Sequence, residues 1–318
     1  MALSRPKESP PVRPRSLTRR SAAVAVAATS AALILTGCGE DPDASGSGDP
    51  AADESRPTVE VDDELAARVP DEIGEDGTIT VGTDSSYAPS EFIAEDGETI
   101  VGFDVDLFSA VAEKIGFTAE FESASFDSII AGVGSGRYEV GVSSFTINPE
   151  RLAEATMVSY FSAGTQWATQ AGNPEGIDPD DACGASVAVQ RGTVQVDDVT
   201  ARSAECEAAG NEPIDIQQFE GQDEATAAIV SGRVDAGLAD SPVMAYAVSQ
   251  TNEQLELLGD IYDSAPYGYV VPLEETEFGQ VLADALTALI EGGTYAEILE
   301  KWGVEAGAID TPEVNPAG

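Results

Sequence analysis

The stretch SSFTINPER, residues 143–151, brings the hydroxyls of Ser143, Ser144 and Thr146 and the guanidinium of Arg151 together where an apolar run ends. Asn148-Pro149 reads as an N-cap followed by proline at the first helical position, so Arg151 falls in the first turn of a helix. A cation there sits badly with the helix dipole, although most arginines simply occupy a solvated face. A guanidinium fork beside hydroxyls suits a carboxylate, which it can hold bidentately.

A second candidate lies in an echo of this stretch. Residues 130–144, IAGVGSGRYEVGVSS, align without gaps with residues 226–240, TAAIVSGRVDAGLAD, over a shared Ser-Gly-Arg and a later glycine. The alignment sets Ser144 opposite Asp240. If both units end in parallel strands, both residues lie at the carboxyl ends, where open α/β sheets bind ligands.

The elements needed to position these groups follow from the patterning. ITVG from residue 79 reads as a strand, with a loop over 84–89 at its carboxyl end. Phe103, Leu107, Val111 and Ile115 recur at four-residue steps and stop at Gly116, which predicts an amphipathic helix with a glycine cap. FTAEF reads as a strand, 126–133 as a helix and EVGVSS as a third strand, the order of a parallel sheet with right-handed crossovers. The same order returns from Ala185, with SVAVQ, a turn at Gly192, a helix from Val194, IDIQQF, a helix over 222–230 and VDAGLAD. After Ile261 come a strand, PYGYVV, and two helices separated by Gly292-Gly293. These helices are expected to return to the first module and make it discontinuous. Cys183 and Cys206 bracket the first strand and helix of the second module, and a disulfide is expected, with a pair of buried thiols as the alternative.

Composition narrows the chemistry. The 318 residues carry 58 acidic and 15 basic side chains, and six of the basic ones precede residue 21. A body this acidic is repelled by phosphate backbones, so no nucleic-acid partner is expected, and its main effect is solubility. With three cysteines and no histidine, histidine-based triads and most zinc sites lose their base or ligand. No metal and no cofactor is expected.

The ends carry targeting signals. Residues 1–20 are basic and proline-rich, and 22–35 are small or apolar, a run too short for the ~20 residues of a membrane span. Leu35-Thr36-Gly37-Cys38 resembles the lipobox of bacterial lipoproteins, which implies a signal peptide over 1–37, cleavage before Cys38 and acylation of its sulfur, as by palmitate. Arg19-Arg20 leaves export by the general or the twin-arginine route open. Residues 38–76, rich in Asp, Glu, Ser, Gly and Pro, read as an acidic flexible tether because they offer little apolar surface against the entropy of ordering.

From about Gly77 to its end the chain resembles the family-3 extracellular solute-binding proteins, the receptors of polar amino-acid ABC transporters. The resemblance rests on TDSSYAPSEF, VGFDVDL, ASFDSII, SGRYEVGVSSFTINPER, YFSAG, CGASVAVQRGTVQ, SGRVDAGLADSPV, APYGYVV and GGTYAEILEKWG, in the family's order and spacing. It implies an α/β, periplasmic-binding-protein-like clamp of two lobes joined by two hinge strands. The first lobe is discontinuous, 77–163 plus 267–318, and the second is 164–266, with hinge crossings near 161–164 and 265–268.

The resemblance also implies roles. Arg151 would grip the α-carboxylate of a free amino acid, helped by Thr193 and the backbone amide of Val194. Asp240 would take the α-ammonium, with hydroxyls from Ser144 and Thr146. Tyr87 and Phe126 would flank the ligand's side chain and Asp84 would lie near its polar end. Gln190 and Arg191 occupy variable positions that can face that side chain. In YAPSEF, Ser90 departs from the bulky apolar residue common in the family.

The expected partners are a free amino acid, an ABC permease and the membrane through the lipid anchor only. A monomer on the outer face of the bacterial cytoplasmic membrane is expected, acting as a binding protein rather than an enzyme. The alternatives are a cyclohexadienyl-dehydratase-like enzyme, which would need carboxylate acids in place of histidine, and a lipoprotein that senses the amino acid.

Overall fold

The computed structural model describes residues 56–317, apart from 72 and 75. The signal peptide, Cys38 and the tether as far as residue 55 lie outside the described residues. In chain order the first elements are α1 (Asp63–Ala66), β1 (Thr78–Thr83), β2 (Ser86–Tyr87), β3 (Glu91–Ile93), β4 (Ile100–Val101), α2 (Phe103–Lys114), β5 (Thr118–Ser123), α3 (Phe126–Gly134), β6 (Val140–Gly141) and α4 (Pro149–Leu152). The long strand β7 (Ala155–Gln170) leads to β8 (Ser186–Gln190), α5 (Val194–Ala209), β9 (Asp215–Phe219), α6 (Gln222–Val230), β10 (Ala236–Asp240) and α7 (Ser241–Gln250). A second long strand, β11 (Leu255–Pro272), returns to α8 (Thr276–Gly292) and α9 (Thr294–Trp302).

One sheet runs through the whole clamp in the order β5-β1-β6-β11-β7-β10-β8-β9. Strands β5, β1 and β6 are parallel, as are β10, β8 and β9. Between these halves β7 and β11 pair antiparallel and belong to both lobes. Their register slips between Tyr262 and Ala265 and again between Tyr267 and Gly268. Such irregularities bend a strand and raise its twist, so the pair turns where one lobe gives way to the other. The hinge strands implied by the resemblance near 161–164 and 265–268 are the middles of β7 and β11, whereas patterning alone shows only the last part of β11 and no strand over 155–170. Buried residues run almost unbroken along β7, so it lacks the alternation that marks a strand with one wet face.

The first lobe forms around the predicted face of α2. Phe103, Leu107, Phe108, Val111 and Ile115 have no exposed surface, and Gly116 ends the helix with φ +85°. Helices α8 and α9 come back to this face, and Phe278, Leu282, Leu286, Tyr295, Ile298 and Leu299 join the same core. Tyr295 donates from its hydroxyl to the Tyr160 carbonyl at 2.9 Å, fixing α9 to β7.

The folded body begins earlier than the expected boundary at 76. Asp62 caps α1 by accepting from the Glu64 and Leu65 amides, and its own N–H donates to Lys114 O at 2.8 Å. Arg56 pairs with Glu113, Leu65 and Ile73 are buried, and Val59 and Val69 pack against the core. These apolar residues are few but are spaced to meet α2 and α8. Their burial offsets the ordering entropy that composition alone counted against the segment.

In the second lobe the Cys183–Cys206 disulfide is present and ties the approach to β8 to α5. Among the described residues no helix is long and apolar enough to cross a membrane.

Candidate ligand-binding site

Two pairs of parallel strands, one pair in each lobe and running in opposite directions, bring their carboxyl ends and a set of polar residues to the cleft. Asp84 follows β1, Ser143 and Ser144 follow β6, Gln190 ends β8 and Asp240 ends β10. All five are buried. The literal repeat is therefore structural, since α3 with β6 and α6 with β10 are matching units that place Ser144 and Asp240 at equivalent strand ends.

Helix α4 positions the cation. Asn148 caps it by accepting from the Arg151 N–H at 2.9 Å, and Pro149 occupies the first turn. The Arg151 side chain reaches across the cleft, donating from Nη1 to Thr146 O at 2.8 Å and from Nη2 to Gly192 O at 3.2 Å. Its guanidinium lies 5.3 Å from the centre of the Phe126 ring and 5.5 Å from that of Phe145, two rings stacked on each other. Cation–π attraction and carbonyl acceptors thus hold the guanidinium of a residue that is only 9% exposed. Burial pulls its pKa down, against the charge of Asp240, which acts upward.

Asp240 faces it from the second lobe. Its Oδ2 accepts from the Tyr87 hydroxyl at 2.9 Å and its Oδ1 from Gln195 Nε2 at 2.8 Å. The Asp240 amide donates back to Tyr87 Oη at 3.2 Å. Burial raises the Asp240 pKa, while the hydroxyls of Tyr267 and Tyr87, Gln195 and the charge of Arg151 act to lower it. A carboxylate held by neutral donors opposite a cation can exchange those donors for an ammonium at little cost in desolvation, because it is already out of water.

Arg151 and Asp240 line one small cavity together with Tyr87, Phe126, Ser144, Thr146, Thr193, Val194 and Gln195. Its volume is about 10 Å³, room for a single water. A solute as large as an amino acid does not fit between these walls as they stand. Beyond Arg151 a wider recess of about 310 Å³ opens between the lobes, with Asp127, Glu150, Glu154 and Asp197 in its walls.

Eight of the eleven residues expected at the site meet at the small cavity. Asp84, Gln190 and Arg191 do not. Asp84 is buried beside it with both oxygens occupied: Oδ1 accepts from the Ser86 N–H and hydroxyl, and Oδ2 from the Phe126 amide at 3.0 Å and Gln190 Nε2 at 2.8 Å. Gln190 thereby bridges the lobes, and its Oε1 is buried without a donor. Arg191 points outward, half exposed, pairing with Asp127 at 3.0 Å and Glu220 at 3.5 Å. The glycine that follows explains this: Gly192 has φ +79°, and a Cβ there would stand 2.8 Å from the Asp127 Cβ, so the turn lies tight against α3 and carries residue 191 to the surface.

Sequence reasoning missed Gln195, Tyr267 and Phe145, and the buried acids Glu91 and Asp104 behind the first lobe's half of the site. Gln195 follows Val194 in the first turn of α5, and its burial at 2% exposure was the signal that sequence could not give. Phe145 sits inside SSFTINPER, where nothing in the sequence marks it as the ring that stacks on Phe126 beside Arg151.

A family model for the bacterial extracellular solute-binding proteins, family 3, matches residues 79–305. The arginine-binding protein ArgT of Corynebacterium glutamicum is 40% identical over 253 residues, covering 79% of this chain and 83% of that protein. Among solved structures, an ancestral arginine-binding protein bound to arginine is 33% identical with a TM-score of 0.65, covering 71% of this chain and 98% of that one. An ancestral amino acid-binding protein described as a precursor of cyclohexadienyl dehydratase is 31% identical with a TM-score of 0.62, covering 73% of this chain and 98% of that one.

Proposed function

The chain belongs to family 3 of the bacterial extracellular solute-binding proteins, and from that premise we propose that it captures a free cationic amino acid, arginine first, for the permease of an ABC importer. The observation that carries the reading is the pairing of Arg151 with Asp240 across a single cavity from opposite lobes. In this reading Arg151 takes the α-carboxylate, with the Thr193 hydroxyl and the Val194 amide, and Asp240 takes the α-ammonium, with Ser144 and Thr146 beside it. A zwitterion bound this way is paired at both ends, the condition for burying it. Because its charges go to different lobes, ligand favours the closed state over the open one, which is the differential affinity that drives closure.

Three features favour a cationic side chain. Asp84 and the unpartnered Gln190 Oε1 stand together next to Phe126 as acceptors for a donor-rich group, and they become contacts once that group displaces the Gln190 bridge. The recess beyond Arg151 has carboxylates in its walls, which attract a cation during approach. The relative ArgT is an arginine-binding protein. The moving bodies are residues 77–163 with 267–318, together with the segment from 56 docked on them, and residues 164–266, turning about β7 and β11. Acylation at Cys38 would hold the protein at the outer face of the membrane, beside the permease.

The experiment is a thermal-shift screen of the free amino acids followed by calorimetry. L-Arginine is expected to raise the melting temperature most, by mass action on the folded state. Arg151→Ala is expected to remove the shift while leaving the ligand-free melting temperature near that of the wild type. If no amino acid shifts the wild type, the reading fails. Turnover of prephenate or arogenate by the purified protein would favour the dehydratase reading instead, and retention of Cys38→Ser protein in the membrane fraction would count against the lipid anchor.

A further inference from the structure

Behind the first lobe's half of the site lie two carboxyl groups, Glu91 on β3 and Asp104 in the first turn of α2, neither with any exposed surface. The backbone forces them together. The Phe103 and Asp104 amides, orphaned at the start of α2, donate to Pro89 O and Ser90 O, each at 3.0 Å. Gly102, with φ +143°, lets the chains approach so closely that a Cβ there would stand 2.0 Å from Ser90 O. Asp104 thus bonds the residue that precedes Glu91, and the two acids accept from neighbouring serines, Ser144 and Ser143, so their carboxyl groups lie side by side.

Their remaining contacts lead to the ligand site. Asp104 Oδ2 accepts from the Tyr160 hydroxyl at 2.6 Å, from Ser144 N at 3.0 Å and from Ser144 Oγ at 3.2 Å. Ser144 has φ +50°, a left-handed conformation that a serine adopts at a cost, and these two bonds hold it there. Glu91 Oε1 accepts from Ser143 Oγ at 2.8 Å, and Ser143 Oγ in turn accepts from the Asp84 amide at 3.0 Å. Glu91 Oε2 and Asp104 Oδ1 receive no donor from any other group. The titratable groups facing the pair are Asp84, Tyr87, Tyr160 and Tyr269, and among the described residues no lysine or arginine forms an ion pair with either acid.

Two ionised carboxylates cannot hydrogen-bond to each other, and without a cation they cannot share a dry site. We infer that Glu91 and Asp104 share one proton and act as positioning residues, holding Ser144 and the Asp84 loop in the conformation that grips the ligand. Like carboxylate pairs elsewhere, the two titrate as a unit. Burial pushes Glu91 well above the ordinary glutamate range and Asp104 up to about 6. The unfolded chain releases these protons at ordinary carboxylate pH, so the folded chain holds more protons above that range. Stability therefore falls as pH rises toward the folded values. The positioning role rests on the proposed ligand site, whereas the shared proton does not.

The test compares wild type with Glu91→Gln, whose amide keeps the size and a donor for Asp104 but cannot titrate. Ligand-free unfolding is measured by denaturant from mildly acidic to mildly alkaline pH. The wild-type unfolding constant is expected to rise by up to about ten-fold per pH unit, the slope of one proton, and the variant to be flatter. Parallel curves overturn the shared proton. If Glu91→Gln does not fold, infrared spectra of wild type labelled with 13C in glutamate and, separately, in aspartate decide it, since the absence of a protonated carboxyl band from both at neutral pH overturns the claim equally.

Affinity for L-arginine is then followed over the same pH range. Loss of wild-type affinity on alkalinisation, absent in Glu91→Gln, is expected. Matching affinity profiles in the two proteins overturn the positioning role. Failure of wild type to bind L-arginine at any pH sinks the ligand reading and the positioning role with it, while the proton claim is judged by the unfolding curves alone.

Discussion

The two lobes carry the same helix-turn-strand unit and finish it with opposite chemistry. In the second lobe the strand end is Asp240, a carboxylate in the cleft. In the first the equivalent position is Ser144, and the carboxylate, Asp104, sits one layer behind and holds Ser144 by its amide and hydroxyl. At the end of the proposed site that would hold the amino-acid group, the first lobe thus offers hydroxyls and a guanidinium, and the second an anion. This asymmetry gives the cleft a polarity, and a zwitterion in it has one favourable orientation. The proposed roles also separate the demands on the acids: Asp240 would have to be charged to take an ammonium, whereas Glu91 and Asp104 would have to keep a proton between them.

The strongest way to break the comparison is at Asp240. Asp240→Ala leaves Arg151 without its counter-charge and a bound ammonium without a partner, so calorimetry should show a loss of roughly 3–5 kcal/mol in binding. Asp240→Asn, which keeps the hydrogen bonds but not the charge, should fall between the two. Full affinity in the asparagine variant would mean that charge does not orient the ligand. Acid offers the same test without mutation. Because burial raises Asp240, its carboxylate takes up a proton at higher pH than an ordinary aspartate. Binding should therefore weaken as pH falls through that raised value, the reverse of the alkaline loss expected from the first lobe.

A smaller effect should separate the lobes by stability. The disulfide lies in the second lobe and closes a loop with a sequence separation of 23 residues. Replacing Cys183 and Cys206 by serine should cost about 3 kcal/mol in the chain-entropy model. The loss should appear first as faster hydrogen exchange in β8, β9 and α5, with the first lobe protected as before. Uniform loss of protection would show that the lobes do not unfold separately.

How much of this was legible depended on what each residue answers to. Local rules carried the cap at Asn148, the helix face of Phe103 to Ile115 and the strand ends at Ser144 and Asp240, because each is set by neighbours in the chain. The long strand β7 was invisible, since burial on both sides erases alternation. The docking of residues 56–71 was hidden for the opposite reason: its few apolar residues matter only because α2 and α8 stand ready to receive them. Gln195 and the Glu91–Asp104 pair carry no pattern at all, for a buried amide or acid is identified by partners distant in sequence. Asp84, Gln190 and Arg191 were brought to the site by resemblance, and the turn at Gly192 separates the last of them from the cavity.

Arg191 therefore provides the finest discrimination. It belongs to the second lobe and pairs with Asp127 of the first, across the mouth of the cleft, with side chains 48% and 38% exposed. An ion pair so open to solvent is worth less than about 1 kcal/mol and is screened by salt. As a latch it favours closure by that amount, so Arg191→Ala should weaken binding by less than about five-fold, and raising the salt concentration should erase the difference. A rise in affinity would overturn the latch, since it would mean that Arg191 turns inward and repels a cationic ligand. A neutral or acidic ligand held directly by Arg191 would instead be lost almost entirely and at any salt concentration. The sign and salt dependence of this one substitution thus distinguish an outer latch from a contact, and test the polarity of the cleft at the edge where the two lobes first meet.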